Sequence, residues 1–375
     1  PDFEIRSCIT HSISTVKVDA AHQSFTAMGQ DIVWAVMDSG IDASHPHFEY
    51  HQNVDPSSPY HADFSGARPP GQPLLDQYGH GTHVAGIIAG QQSLALQSKE
   101  ANMLAFWREL DAEGLPVVRK KPLPAISGMA PKCKLVSLKV LDKFGQGTAS
   151  NVMAAINHVQ LKNGHGRDIK IHGVNLSLGH TFDPEWFACG HSPLCVEVNR
   201  LVKSGVVVVI AAGNTGYGTL QLLAGKTSNS GLDLTINDPG NAEHAITVGS
   251  THRDMPHRYG VSYFSSKGPT GDGRCKPDLL APGEKIVSCA APDSLLVEKE
   301  AANDKDCRYF ETSGTSMAAP HVSGAIAAFL SIRTEFIGEP ELVKKIFTST
   351  ATDLGRDRYF QGSGLIDLMR AIQSV

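Results

Sequence analysis

The sequence predicts an α/β domain in which helices cover both faces of a mainly parallel sheet. Three observations carry that expectation. Short, continuous apolar runs recur along the 375-residue chain, and longer stretches with helical spacing lie between them. Gly and Pro, 36 and 21 residues, are spread throughout without a repeat or low-complexity tract. A strand buried on both faces reads as an unbroken apolar run, whereas a helix packed on a sheet shows apolar residues three or four apart. Strand and helix in alternation build a parallel sheet with crossover helices.

The first strand is expected over residues 32–37 (IVWAVM), ending at Asp38-Ser39-Gly40. Helical spacing follows over 80–89. Residues 135–140 (LVSLKV) read as the next strand and 149–161 as the next helix. Residues 174–178, 206–211 (VVVVIA) and 245–248 continue the strands, while 196–203 and 320–332 continue the helices. Chemistry in such sheets collects at the carboxyl ends of the strands, so Asp38 and Asn214 are expected on one edge. Two stretches break the rhythm. Residues 91–127 form a long insertion, with an amphipathic helix expected over SKEANMLAFWREL (98–110) and then the basic run VVRKKPLP. Residues 180–195 (HTFDPEWFACGHSPLC) read as a turn-rich aromatic loop.

Composition narrows the function classes. Apolar residues make up 41% and charged residues 19%, which suits a large buried core. The balance of 33 basic against 38 acidic residues, a net −5, offers no nucleic-acid surface and no polybasic membrane anchor. The longest apolar runs, 206–213 and 325–330, fall short of the ~18 residues of a membrane span. Seven cysteines cannot all pair within one chain. Cys8, Cys133, Cys275, Cys289 and Cys307 are scattered, and Cys189 and Cys195 are too far apart for a CxxC motif. Free buried thiols favour a cytoplasmic setting, with a local Cys189–Cys195 disulfide in a secreted protein as the alternative. The chain opens with Pro1 and no leader, so a processed N-terminus is expected.

Three segments stand out chemically. Asp38-Ser39-Gly40 ends a buried strand, where a carboxylate needs a partner to offset its desolvation. Tyr78-Gly79-His80-Gly81-Thr82-His83 opens a helix. Thr312-Ser313-Gly314-Thr315-Ser316-Met317 leads from a turn into an Ala-rich helix, with Ser316 at the bend. Taken singly, each has an ordinary explanation: a turn residue, a packing pair of histidines, an N-cap. A HExxH zinc site is excluded because no Glu follows His80.

Taken together, DSGID, HGTHVAG and GTSMAAPHVSG, in that order, resemble the signature segments of the subtilisin-like serine proteases, the subtilases. The resemblance runs from about Asp31 to the C-terminus, where GSGLIDLMRAI is similar to the family's closing segment. His80 separates the chain from sedolisin-like relatives, which use Glu there. The resemblance implies a three-layer fold with a sheet of about seven strands. Residues 1–30 would be an N-terminal extension and 31–375 a peptidase domain with insertions at 91–127 and 180–195. It implies a serine endopeptidase acting on proteins or peptides through an acyl-enzyme. Ser316 would attack, His80 would be the base and Asp38 would orient it, while His83 and His321 would be structural. AAGN (211–214) resembles the segment that stabilises the oxyanion, through Asn214. Ser177, Leu178 and Gly179 on one side, and Gly145 and Gly147 on the other, would hold an extended substrate, with Gly147 allowing close approach. The pocket before the scissile bond would lie between 177–179 and 211–214, including Ala212 and Gly213, with 237–240 near its floor. An apolar or broad preference is expected there, although Asn237 and Asp238 leave a polar or basic one open. A silent peptide-binding relative and a transamidase or macrocyclase are the alternatives in function.

The sequence also departs from the family. Strongly calcium-dependent members have Asp where this chain has His47, and the 91–127 insertion replaces the loop that completes their site. No cofactor is therefore expected to be required; carboxylates such as Asp304 and Asp306 leave other calcium sites open. His45, His47, His51 and His61 lack the spacing and Cys partners of a zinc site. About thirty residues precede the first strand, too few for a folded inhibitory prosegment, so a removed prosegment or a short extension is expected.

Overall fold

Seven strands lie side by side in one parallel sheet in the computed structural model, which describes residues 11–66, 71–94, 103–111, 113–221, 227–292, 294–297 and 306–375. They are β1 (Val33–Asp38), β2 (Ala62–Asp63), β3 (Lys134–Lys139), β4 (Gly173–Leu176), β5 (Val207–Ala211), β6 (Ile246–His252) and β7 (Leu279–Glu284). Their order is β7-β6-β5-β4-β1-β3-β2, parallel throughout. The expected strand number and direction are both met. From β1 the chain first builds outward through β2 and β3, then crosses to β4 on the other side. That reversal opens a crevice at the carboxyl end of β1.

Alternation along β1 supplies two cores. Trp34 and Val36 face a cluster with Val84 and Ile88 of α1 (His80–Ile88) and Val322, Ala325 and Phe329 of α4 (Thr315–Leu330). Ala35 and Met37 face Val152, Ile156 and Val159 of α2 (Ala149–Lys162) and Val198 and Leu201 of α3 (Pro193–Lys203). Nearly every residue of α4 is buried, and its alanines let it pass through the first core. Ile13, Val16, Val18, Ala21 and Ala27, ahead of the first strand, pack into that same core.

The helix expected over 98–110 is a strand where the structure describes it; residues 98–102 lie outside the described residues. Leu104–Leu110 pairs antiparallel with Pro116–Pro122, which takes up most of the VVRKKPLP run, and parallel with Cys307–Thr312. Ile286–Cys289 completes a four-stranded sheet. Leu-Ala-Phe-Trp is too short an apolar run to choose a period by itself. The strand Cys307–Thr312 decides it, with Phe106 stacked on Phe310 at 5.8 Å. Two helices begin earlier than expected: α3 at Pro193, capped by Ser192, and α4 at Thr315, which places Pro320 inside the helix. Strand β7 escaped the sequence reading because LLAPGE looks like a turn; as an edge strand it tolerates Pro282. Cys189 and Cys195 carry free thiols, so no local bridge joins them. Among the described residues no helix is long and apolar enough to cross a membrane.

Gly173 of β4 sits opposite Trp34 of β1, and a Cβ there would lie 2.3 Å from the indole. Gly173→Ala is expected to destabilise the domain by about 1–3 kcal/mol through overpacking. Urea unfolding checks this: the midpoint should fall with the slope unchanged.

Candidate active site

Asp38 ends β1 with no solvent exposure. Its carboxylate accepts the Ser39 backbone N–H at 2.7 Å, and His80 Nδ1 lies 2.9 Å from both of its oxygens. These donors offset the desolvation of the charge. His80 opens α1, and Gly81 beside it lets the helix press against the end of β1: a Cβ there would be 2.1 Å from Gly40 O. The imidazole is 17% exposed, so one edge reaches the cleft. Burial pushes its pKa down, but the Asp38 charge and hydrogen bond, with a smaller contribution from Asp76, raise it above 6.5 overall. Nδ1 therefore holds the proton towards Asp38 and leaves Nε2 as the basic nitrogen.

Ser316 is the second residue of α4. Four residues on, Pro320 has no N–H to give, so the Ser316 carbonyl lacks its intrahelical donor. The Ser177 hydroxyl fills that vacancy at 2.8 Å, and the Ser316 hydroxyl donates back to Ser177 O at 3.0 Å. Ser177 is steadied in turn by Asn175, which accepts from Ser323 of α4. The nucleophile candidate is thus clamped to the end of β4, its hydroxyl committed to Ser177 O rather than to His80. Catalytic hydrogen bonds are commonly long or misaligned without substrate and tighten once it is bound. The Ser177 clamp was invisible in sequence, where the residue read only as part of a substrate strand.

Asn214 follows β5 and is exposed. Its Oδ1 accepts from both the Thr315 N–H at 2.9 Å and the Thr315 hydroxyl at 3.0 Å. With the oxygen engaged twice, the Nδ2 amino group is the donor left to act on a ligand.

His80, Gly145, Gly147, Ser177, Leu178 and Gly179 line one cleft of ≈ 520 Å³, together with Tyr78, Leu141 and Leu194. The Tyr78 ring lies 6.4 Å from that of His80 and packs where a Gly145 side chain would be. Gly147 is required by its own chain as well, since a Cβ would meet Val140 O at 2.5 Å. Ala212 and Gly213, just past β5, are not among the residues lining this cleft. The Ala212 N–H donates to Val248 O and its carbonyl accepts from Asn237, while the Gly213 N–H donates to the Thr315 hydroxyl. Asp238 is 1% exposed, and its carboxylate accepts from Asn241 at 2.8 Å.

His83, His321 and His47 are packing groups. His83 and His321 are buried and bonded to Phe310 O and Met317 O, and burial holds them near pKa about 3 and about 4. Burial, with His45 beside it, likewise pushes His47 to about 3; its ring nitrogens lie 3.2 Å from Gly86 O and from the Tyr309 hydroxyl. A neutral ring wedged between those partners does not fit an oxygen-liganded cation. Among the described residues no three metal-ligating side chains cluster; Asp304 lies outside them.

Sequence reasoning also missed Asp76, a buried carboxylate just ahead of α1. Its only sequence signal is an acidic residue preceding a helix.

Comparison with known proteins agrees with this architecture. Residues 29–364 match the Subtilase family. Pyrolysin of Pyrococcus furiosus is 31% identical over 79% of this chain, which spans only 21% of pyrolysin's length. The serine protease AprX of Bacillus subtilis is 28% identical over 92% of this chain and 67% of its own. Subtilisin E of the same species is 29% identical over 99% of this chain and 73% of its own. With nearly its whole length matched, the chain belongs to the subtilase family of serine peptidases.

Proposed function

We propose that this chain cleaves peptide bonds within proteins through an acyl-enzyme on Ser316, with His80 as base and Asp38 holding the imidazole. The observation that carries this reading is His80, hydrogen-bonded to buried Asp38, on the same cleft as Ser177, to which the Ser316 hydroxyl is bonded. The hydroxyl turns from Ser177 O to His80 Nε2 and attacks the scissile carbonyl as its proton passes to the imidazole. The tetrahedral oxyanion takes hydrogen bonds from Asn214 Nδ2 and the Ser316 backbone N–H; a donor of this kind typically contributes about 10²–10³ in kcat. His80 returns the proton to the leaving amine, and water then releases the acyl group by the same steps.

The two sides of the cleft, 145–147 and 177–179, suit a substrate in extended conformation. The buried, already bonded Asp238 carboxylate supports an apolar or broad preference for the residue before the scissile bond. The His47 environment supports a reaction and a fold that need no cation at that place.

Ser316→Ala should reduce kcat/KM by about 10⁶-fold, the order that losing such a nucleophile costs. In the wild type, kcat/KM should fall as pH drops through a His80 pKa above 6.5, because the protonated ring cannot accept the Ser316 proton. A profile flat from pH 5 to 9, or near-normal turnover by Ser316→Ala on a peptide substrate, would overturn the assignment. Paired peptides differing only before the scissile bond should show no advantage of Arg or Lys over Leu or Phe. A strong basic preference would point to an acidic group other than Asp238. Dialysis against EDTA should leave the melting temperature unchanged; a marked drop would reveal a stabilising cation.

A further inference from the structure

The Asp76 carboxylate, with 3% of the residue exposed, collects four hydrogen bonds. Oδ1 accepts from the Ser39 hydroxyl at 2.8 Å and the Gly79 N–H at 2.7 Å; Oδ2 accepts from the Thr82 N–H at 2.8 Å and the Thr82 hydroxyl at 2.7 Å. Each donor belongs to one of two partners that must stay in register. Ser39 follows Asp38 directly, and its hydroxyl also accepts the Gly81 N–H at 2.9 Å. Gly79 and Thr82 flank His80 on the first turn of α1. A further strut runs from the Asp42 N–H to the Thr82 hydroxyl at 2.9 Å.

We propose that Asp76 is a positioning residue for the proton transfer: it ties the strand end bearing Asp38 to the helix start bearing His80, and adds a second negative charge behind the imidazolium that forms. The proposal rests on the triad reading above. A carboxylate that only capped α1 would bond helix N–H groups; this one also grips Ser39, across the joint between strand and helix. Its charge supports the raised proton affinity of His80, and its own pKa is raised by burial, against the pull of its four donors. The other titratable groups around this joint are Asp38 on β1, Asp42 in the following loop, Tyr78 and His83 flanking His80, and Lys139 on β3. The Lys139 ammonium bonds Leu75 O, next to Asp76.

Asp76→Asn keeps the size but carries no charge and cannot accept from all four donors. The test compares wild type, Asp76→Asn, Ser39→Ala and Ser316→Ala on one peptide substrate across pH, with rates normalised to the fraction labelled by a fluorophosphonate at completion. Asp76→Asn should lower kcat by about 10- to 100-fold at unchanged KM, the scale of a misplaced catalytic group. It should also move the acid limb of kcat/KM down by about half a pH unit, as expected for removing a nearby negative charge. Ser39→Ala cuts the tether but keeps the charge, so kcat should fall with the acid limb in place. This variant carries the test if Asp76→Asn does not fold. Wild-type kcat in either folded variant, or an unmoved acid limb in Asp76→Asn, overturns the proposal. If labelling survives in Ser316→Ala, the triad reading fails and the proposal with it. If labelling is lost there while Asp76→Asn behaves as wild type, the role of Asp76 fails alone.

Discussion

A carboxylate cut off from water at the end of β1 organises the site. With water excluded, the Asp38 carboxylate takes its hydrogen bonds from the protein, and it receives the Ser39 amide and the His80 ring. Both donors come from segments fixed by packing: Ser39 by the turn out of the strand, His80 by a helix pressed against that strand's last residues. The same pairing fixes the tautomer and raises the proton affinity of His80. Burial of one charge thus links sheet geometry to acid–base chemistry.

The other half of the site is organised by a missing donor. Pro320 leaves a carbonyl unserved one turn back in α4, at Ser316, and Ser177 of the neighbouring segment serves it. A break in helix regularity therefore becomes an attachment point between α4 and the end of β4. Because α1 and α4 pack in one core on the same face of the sheet, the candidate base and the candidate nucleophile are carried by neighbouring helices anchored to adjacent strands. The distance between them depends on core packing more than on loop conformation.

Much of this was legible in the sequence because it rests on local rules. Unbroken apolar runs gave the buried strands, and strand ends marked the edge where Asp38 and Asn214 would meet the chemistry. What escaped depends on partners far along the chain. Leu104–Leu110 becomes a strand because Cys307–Thr312 lies beside it, some two hundred residues later. Strand β7 hides behind a proline that only an edge position permits. Asp76 and the Ser177 clamp are defined by hydrogen bonds closed across 37 and 139 residues, and no periodicity records them.

The insertion has a consequence for how the molecule stays apart from its neighbours. By pairing with Cys307–Thr312, it covers the strand that runs into the Ser316 turn and moves the open edge of that sheet outward to Pro116–Pro122. An open edge of seven residues is a template on which another chain can add. This one carries Arg119, Lys120 and Lys121 in succession between prolines at 116 and 122, the charges and missing donors that discourage such addition. The basic run thus guards an edge that lies one strand beyond Cys307–Thr312, with Leu104–Leu110 between them.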